Sequence, residues 1–195
     1  MGKLFCIMGK SSSGKDTLYR MLTDAGMEGL EKVVPYTTRP QREGEKNGRE
    51  YFFVKEEDYR RMCREGKVIE ARSYDTVYGV WTYFTAADEQ MDLARASFLV
   101  IGTLESYRKL KEYFGAEEVL PVYVEVEDGL RLLRAVEREQ SQKEPGYAEV
   151  CRRFLADAQD FSEEKLAKAQ IRRRFVNDDL DRCFQEIMAY IAEKK

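Results

Sequence analysis

Apolar residues in this chain fall into short runs that alternate with amphipathic segments. The run LFCIM near the amino terminus is strand-sized, and the segment after it, 15–25, places Leu18, Met21 and Leu22 on one helical face. The same alternation continues along the chain. It predicts strands within EKVVPYT, REYFFV, KVIEARSY, VYGVWTYF, SFLVIG and EVLPVYVEV. It predicts helices over EEDYRRMCREG, 86–94, Leu104–Phe114, most of the segment before RRFVNDD, and the carboxyl terminus.

This order of elements predicts an α/β fold. Strands that alternate with helices form a parallel sheet with right-handed crossovers, flanked by helices. The four short strands predicted between 37 and 85 interrupt the alternation, and turn signals at Gly44, Asn47 and Gly48 separate the first two. We therefore expect an inserted antiparallel β subdomain beside the parallel core.

The stretch GKSSSGKDT, between the first strand and the first helix, has the spacing of a phosphate-binding loop. Gly9, Gly14 and Lys15 match the pattern of glycine, four residues, glycine and lysine. The serines between the glycines are small, so backbone N–H groups can converge on phosphate oxygens at the start of the helix. Asp16 departs from the pattern, because a hydroxyl normally stands there and helps to hold magnesium.

Composition narrows the possible functions. Charged residues make up 35% of the 195 residues, yet the net charge is −3, without the basic excess of a nucleic-acid-binding protein. The apolar runs are too short to cross a bilayer, so we expect no membrane association. Four scattered cysteines and no histidine argue against structural zinc and favour reduced thiols in a cytoplasmic protein. The missing histidine removes the commonest general base, a loss that phosphoryl transfer tolerates.

The segment TTRPQREGEKNGREYFFV carries a second candidate anion site. Arg39, Arg42 and Tyr51 lie on a predicted strand–loop–strand and can converge on one phosphate. The forked donors of arginine suit a phosphate monoester. Taken alone, the segment fits a solvated charged hairpin better than a phosphate site.

Together these motifs resemble those of the guanylate kinase family. The resemblance covers nearly the whole chain and rests on the phosphate loop, TTRPQREGEKNGREYFF, VIE followed by YG, arginines in the lid region, and VNDDLD. It implies a P-loop NTPase fold with a core (1–34, 86–133 and 160–195), an inserted nucleoside-monophosphate-binding subdomain (35–85) and a helical lid (134–159). It also implies phosphorylation of GMP or dGMP by ATP with Mg²⁺.

The resemblance also implies the residues that handle ATP. Lys15 and the loop would hold the donor phosphates, and Asn177 would lie beside the adenine. The other loop residues in this set are Gly9, Ser11, Ser12, Ser13, Gly14, Asp16 and Thr17. Arg134 and Arg138, four residues apart on one helical face, would clamp the transferring phosphoryl group together with Arg153.

For the acceptor nucleotide, the resemblance implies a phosphate site and a base site. The phosphate would be bound by Arg39, Arg42, Tyr51 and Tyr78. Glu70 would read the guanine edge, since a carboxylate can accept hydrogen bonds from N1–H and the 2-amino group together.

Three base-site positions depart from the family pattern. Pro35 and Val80 stand where serines are usual and cannot donate to guanine O6, and Thr103 stands where a carboxylate is usual. The base preference is therefore open to another nucleotide. Hydroxyl groups that could substitute are those of Tyr36, Thr37 and Thr38.

The metal site also departs from the pattern. The strand SFLVIGTLE has no acidic residue before Glu105, whereas the family usually has acids at the end of this strand. We expect that Asp16 compensates and holds Mg²⁺, directly or through water, because Mg²⁺ accepts a single carboxylate plus waters and phosphates. The alternative is that Asp16 only favours the helix dipole, with Thr17 serving the metal.

Two other classes of function remain open on these residues. One is a kinase of the same fold that acts on another acceptor, either a different nucleotide or a phosphosugar; Glu70 and the arginine–tyrosine segment argue against the sugar. The other is a non-catalytic binding module of the same family. Such modules typically lose the phosphate-loop lysine, which this chain keeps as Lys15.

Overall fold

Five parallel strands form the central sheet, in a computed structural model that describes residues 1–76 and 79–195. Their spatial order is β2, β7, β1, β8, β9, with β1 in the middle. The strands are β1 (Leu4–Met8), β2 (Leu30–Lys32), β7 (Ser97–Ile101), β8 (Val119–Glu125) and β9 (Arg174–Val176).

Helices cover both faces of this sheet because β1 is apolar on both sides. Leu4, Cys6 and Met8 belong to one core cluster, while Phe5 and Ile7 belong to another on the opposite face. The first cluster includes side chains of α3 (Leu104–Phe114) and α6 (Glu163–Lys168). The second includes α1 (Lys15–Asp24) and α7 (Leu180–Lys194). The predicted α/β core is confirmed.

A second sheet contains four strands in the order β4, β3, β6, β5. These are β3 (Tyr36–Thr37), β4 (Phe52–Phe53), β5 (Val68–Thr76) and β6 (Gly79–Ala86), and α2 (Glu56–Arg64) lies between β4 and β5 in sequence. The pairs β3–β6 and β5–β6 are antiparallel, as expected, but β3–β4 is parallel. The polar segment after β3 turns back before β4 begins, so β4 runs in the same direction as β3.

The predicted helix at 86–94 is wrong. β6 continues to Ala86, and turns follow it. The carboxylate of Asp88 accepts the N–H of Gln90 at 3.0 Å, and that of Asp92 accepts the N–H of Ala94 at 3.0 Å, which are local bonds that compete with helix formation. The Gln90 side chain also accepts the N–H of Val34 at 3.0 Å. These contacts tie the segment to the start of the second sheet.

Two long helices lie between β8 and β9, namely α4 (Asp128–Gln140) and α5 (Tyr147–Asp160). These helices and the segment 141–146 between them contain the stretch 134–159, for which a lid is predicted. Across residues 1–76 and 79–195, no helix has both the length and the apolar character needed to cross a membrane.

Candidate active site

The loop between β1 and α1 has a backbone that depends on its glycines. Gly14 precedes α1 in the left-handed conformation, with φ 85°, and Ser12 has φ 61°. A Cβ on Gly14 would lie 2.2 Å from Nδ2 of Asn177, and one on Gly9 would lie 2.4 Å from the carbonyl oxygen of Val124. Both glycines are therefore required by close approach, as the phosphate-loop pattern predicts.

Polar side chains line this loop. The hydroxyl oxygens of Ser12 and Ser13 are buried and have no hydrogen-bond partner among the residues described. Lys15 is mostly buried, and its Nζ lies 3.1 Å from Oδ2 of Asp16, which is 76% exposed. An ammonium group and the amino terminus of a ten-residue helix therefore converge at one point, an arrangement that favours an anion.

Asn177 braces the loop from behind. Its side chain is 2% exposed, and Nδ2 donates to the carbonyl oxygen of Ser13 at 2.8 Å. Its own backbone carbonyl accepts a hydrogen bond from Nη2 of Arg134 at 3.1 Å. Asn177 thus connects the phosphate loop to α4. The sequence predicts a position beside the adenine for this residue and does not predict these contacts.

The three predicted lid arginines have different surroundings. Arg134 reaches the loop region through Asn177, whereas Arg138 is exposed near the end of α4. Arg153 is exposed on α5, where its Nε donates to Oε1 of Glu149 at 2.7 Å. Hydrogen bonds from Arg152 first, and then from Arg153, lower the pKa of Glu149 to about 2. The structure therefore brings one of the three arginines to the loop.

The acceptor-phosphate segment is organised around Arg39, which is 4% exposed. Its guanidinium donates to both oxygens of Glu45, Nη2 to Oε1 at 2.8 Å and Nη1 to Oε2 at 2.9 Å. It also lies 5.5 Å from the ring centre of Tyr51. Arg42 is exposed, and its backbone N–H donates to the same Glu45 at 2.7 Å. The predicted Tyr78 lies outside the described residues.

The charges in this segment are strongly coupled. The hydrogen bond from Arg39, followed by that from the Arg42 backbone, lowers the pKa of Glu45 to about 2. Burial, followed by the neighbouring Tyr83, raises the pKa of Tyr51. Glu45 therefore stays ionised and Tyr51 stays protonated at neutral pH, so Tyr51 remains a hydrogen-bond donor.

Glu70 lies buried where the second sheet meets the core. Thr85 of β6 donates from Oγ1 to Oε1 at 2.8 Å, and Ser106 of α3 donates from Oγ to Oε2 at 3.0 Å. The predicted Thr103 caps α3, accepting the N–H of Ser106 at 3.2 Å, and its hydroxyl lies 3.1 Å from that of Ser106. Thr103 thus reaches Glu70 through Ser106, which sequence reasoning missed, as it missed Thr85.

The hydroxyl groups proposed as substitutes at the base site are engaged inside the second sheet. Val80, which stands at one of the base-site positions that depart from the family pattern, is 57% exposed. The hydroxyl of Tyr36 donates to Asp88 at 2.5 Å, that of Thr37 donates to the carbonyl of Thr82 at 3.0 Å, and that of Thr38 accepts the N–H of Thr82 at 2.9 Å. Tyr36 and Thr37 therefore use their hydroxyl protons within the protein, whereas Thr38 accepts a hydrogen bond and keeps its own proton.

The oxygen donors at the start of α1 suit Mg²⁺. Asp16 offers an exposed carboxylate and Thr17 a partly buried hydroxyl. Mg²⁺ takes few protein oxygen ligands and keeps several waters, so this small set fits it. In the described part of the chain, no cluster of three or more acidic or cysteine side chains offers a competing metal site.

A buried ion pair fastens the phosphate loop to α4 and α5, and sequence reasoning missed it. Arg131 of α4 is 2% exposed and lies 4.1 Å from the ring centre of Phe154. Its Nη1 donates to Oδ2 of Asp157 of α5 at 3.1 Å, and the same oxygen accepts the N–H of Ser11 at 2.8 Å. Asp128 lies 3.0 Å from the other guanidinium nitrogen. The loop backbone is thus held by charges on both helices.

A cleft of about 430 Å³ opens beside this pair, at the carboxyl ends of β8 and β9. Lys10 lines this cleft and donates to Asp128 at 3.1 Å. Against the opposing effect of burial, hydrogen bonds from Lys10 and Arg131 lower the pKa of Asp128. The carboxyl ends of parallel strands are the usual ligand-binding edge of such sheets.

The chain matches one family over nearly its whole length. The family model described as guanylate kinase covers residues 1–194. The guanylate kinase of Rubrobacter xylanophilus is 30% identical over 188 residues, which is 96% of this chain and 92% of that protein. The guanylate kinase of Porphyromonas gingivalis is 29% identical over 197 residues, which is 99% of this chain and 98% of that protein.

The fold is similar to that of a solved structure. The crystal structure of guanylate kinase from Anaplasma phagocytophilum matches with a TM-score of 0.64 and 24% identity, covering 99% of this chain and 86% of that one. The predicted fold class is confirmed by this likeness and by the two sheets described above.

Proposed function

This chain belongs to the guanylate kinase family, and from that premise we propose that it transfers the γ-phosphoryl group of ATP to GMP or dGMP. The products are ADP and GDP or dGDP. Membership of the family makes the protein a nucleoside monophosphate kinase; the choice of donor and acceptor is proposed from the site.

The observation that carries the choice of GMP is the buried carboxylate of Glu70. Thr85 and Ser106 each donate one hydroxyl hydrogen bond to it, one to each oxygen. Each oxygen keeps a further lone pair for a substrate donor. Guanine presents N1–H and a 2-amino group side by side, whereas adenine, cytosine and uracil lack two adjacent donor groups on this edge. An oriented carboxylate therefore favours guanine.

In the proposed reaction the phosphate loop holds ATP. Lys15 and the loop N–H groups bind the β- and γ-phosphates, as their convergence at the start of α1 favours. An oxygen of the GMP phosphate attacks the γ-phosphorus in line while the bond to the β,γ-bridging oxygen breaks. Catalysis then consists mainly of positioning and charge stabilisation, which needs no histidine.

Arginine and tyrosine side chains bring the two anions together. We assign Arg39, Arg42 and Tyr51 to the acceptor phosphate, with Tyr78 as a fourth ligand from the sequence resemblance. Arg39 is already oriented by Glu45 through two hydrogen bonds. The exposed Arg42 then completes the charge around the phosphate.

We assign the clamp on the transferring group to Arg134, Arg138 and Arg153. Closure of α4 and α5 over the nucleotides would add these charges and exclude water, which suppresses ATP hydrolysis. Arg153 has to leave Glu149 for this role, since it donates to that carboxylate at 2.7 Å. We therefore propose that the chain is divided into a core that carries the phosphate loop, an acceptor subdomain and a lid.

Magnesium would be held by Asp16 with Thr17 at the start of α1. When bound, it would neutralise charge on the phosphates of ATP. We test this role by titrating magnesium against the activity of Asp16→Ala and Asp16→Ser. Both variants should need more magnesium for half-maximal rate, and the hydroxyl of the serine should restore part of the affinity. An unchanged requirement in both would rule the role out.

A coupled ADP-release assay tests the acceptor. The protein is offered GMP, dGMP, AMP, CMP and UMP in turn, and GMP and dGMP should be the preferred substrates. Glu70→Gln should lower kcat/KM for GMP by about 10- to 100-fold, because an amide replaces one acceptor oxygen. Glu56→Gln, on an exposed face of α2, is the matched control. A preference for a nucleotide with another base would refute the acceptor assignment. If none of the five nucleotides is turned over, either ATP as donor or the proposed reaction is wrong.

A further inference from the structure

Arg72 lies beside Glu70 on β5. The two residues are separated by one position and therefore share a face of the second sheet. Nε of Arg72 lies 3.4 Å from Oε2 of Glu70, close enough for an ion pair. The same Nε is buried and makes no hydrogen bond within the described part of the chain. The charge pair is therefore present while a donor of the guanidinium is left unsatisfied.

Arg72 lies near residues of the acceptor-phosphate segment. Its register partner on β6 is Tyr83, and the ring of Tyr51 packs against Tyr83 with centres 5.6 Å apart. Burial raises the pKa of both Tyr51 and Cys6 of β1, and the charge of Arg72 opposes that rise at each of them. The guanidinium thus lies between the acceptor-phosphate side and the core sheet.

A guanine-reading site also needs a hydrogen-bond donor for O6 of the base. Glu70 can accept from N1–H and the 2-amino group, but O6 beside them is an acceptor. Pro35 has no donor, and the hydroxyls of Tyr36 and Thr37 are engaged within the protein. An arginine next to Glu70 has the required chemistry, because guanidinium N–H groups pair well with guanine O6.

We propose that Arg72 is a specificity-determining residue that donates a hydrogen bond to O6 of the guanine base. Glu70 and Arg72 then read one edge of the base together. The carboxylate accepts from N1–H and the 2-amino group, and the guanidinium donates to O6. This inference rests on the proposed function. It also predicts that AMP is rejected, since the 6-amino group of adenine would face the guanidinium donor to donor.

The test uses substrates that differ at one position of the base. 6-Thio-GMP keeps N1–H and the 2-amino group and replaces O6 by sulfur, a weak acceptor. IMP keeps O6 and N1–H and lacks the 2-amino group. We compare kcat/KM for GMP, 6-thio-GMP and IMP in the wild type, in Arg72→Met and in Arg72→Lys. Arg60→Met is the matched control, because Arg60 is an exposed arginine paired with a nearby glutamate on α2.

The wild type should prefer GMP to 6-thio-GMP, and Arg72→Met should remove most of that preference. Loss of a charged hydrogen bond predicts a fall in kcat/KM for GMP of about 10- to 100-fold, with much less change for 6-thio-GMP. The ratio of GMP to IMP should stay near the wild-type value, because Glu70 still reads the 2-amino group. Arg72→Lys should keep part of the preference for O6, and Arg60→Met should match the wild type.

Three results would overturn the proposal. A wild type that treats GMP and 6-thio-GMP alike has no donor at O6. If Arg72→Met lowers both substrates by the same factor, or reduces the GMP-to-IMP ratio as well, then Arg72 only supports Glu70. If Arg72→Met binds ATP with the same affinity as the wild type, the variant is folded. If Arg72→Met is not folded, the same substrates are compared in Arg72→Lys. Failure of the proposed function is distinct, because GMP would then not be turned over by the wild type.

Discussion

The buried pair Arg131–Asp157 should couple strongly in a double-mutant cycle. The perturbations are Asp157→Ala, Arg131→Met and the two combined. Asp157→Ala removes one of the two carboxylates that face a guanidinium that is 2% exposed, and it also removes the acceptor of the Ser11 N–H. The double variant removes both charges of the pair. The Ser11 N–H then loses its acceptor, and Asp128 and the Ser11 carbonyl lose the guanidinium.

The burial of the two groups sets the magnitude. Removing one partner of a fully buried pair costs about 3–5 kcal/mol. Asp128 remains 3.0 Å from Arg131 and offsets part of this loss, so we expect about 2–4 kcal/mol for Asp157→Ala. Arg131→Met should cost less, about 1–3 kcal/mol, because the Asp157 side chain is 16% exposed and still accepts from Ser11. The double variant should lose only about 1 kcal/mol.

Urea unfolding followed by circular dichroism measures these differences. For a chain of this size, the loss in Asp157→Ala corresponds to a fall in Tm of about 5–15 °C. Asp157→Asn keeps an oxygen for the Ser11 N–H and should lie between Asp157→Ala and the wild type. The exposed pair Glu56–Arg60, removed in the same way, is the control and should show no measurable coupling. A double variant as unstable as the sum of the two single variants would refute the reasoning.

Three other outcomes are expected from the same structure. Gly14→Ala should abolish ATP binding, since the new Cβ would meet Asn177. Gly26→Ala is the control, because Gly26 is also left-handed, at φ 60°, but its Cβ would lie in open space. Calorimetric titration with ATP compares the two variants, and equal affinities would contradict the expectation. Glu45 has a pKa lowered from 4.5 to about 2 by Arg39, so its stabilising effect is complete above pH 4.5 and is lost as the pH falls towards 2. The difference in urea midpoint between wild type and Glu45→Gln should therefore shrink from pH 6 to pH 3, and a constant difference would argue against the pair. Burial raises the pKa of both buried thiols, so a disulfide reagent should label two cysteines quickly and all four only after unfolding; the quickly labelled pair should be Cys63 and Cys151 rather than Cys6 and Cys183.

Local patterns in the sequence predict the phosphate loop well. The loop lies between an apolar run and an amphipathic helix, and its pattern residues are Gly9, Gly14 and Lys15. All the residues needed to predict the loop are therefore close together in the sequence. The central sheet follows for the same reason, because its strands are short apolar runs separated by helices. The prediction of a helix at 86–94 failed because side chains of this segment bond to their own backbone and to Val34. Val34 lies 56 residues from Gln90, so no local pattern reveals the contact.

Contacts between distant residues account for what the sequence alone did not reveal in the site. Ser106 lies 36 residues from Glu70, and Asp157 lies 146 residues from Ser11. Serine and aspartate are common residues, and nothing in their immediate neighbours marks these two as partners of a buried group. Arg72 is a similar case, since an arginine on a strand looks solvent-exposed until the face it shares with Glu70 is known.

The bond from Asn177 to Ser13 has a consequence for the order in which the protein forms during its synthesis. It joins residues 164 positions apart, and β1 itself pairs with β7 and β8, which are made much later than β1. The loop therefore leaves the ribosome long before Asn177, which follows β9 and braces the loop. We expect the nascent chain to gain affinity for nucleotide late and abruptly, once β9 has joined the sheet.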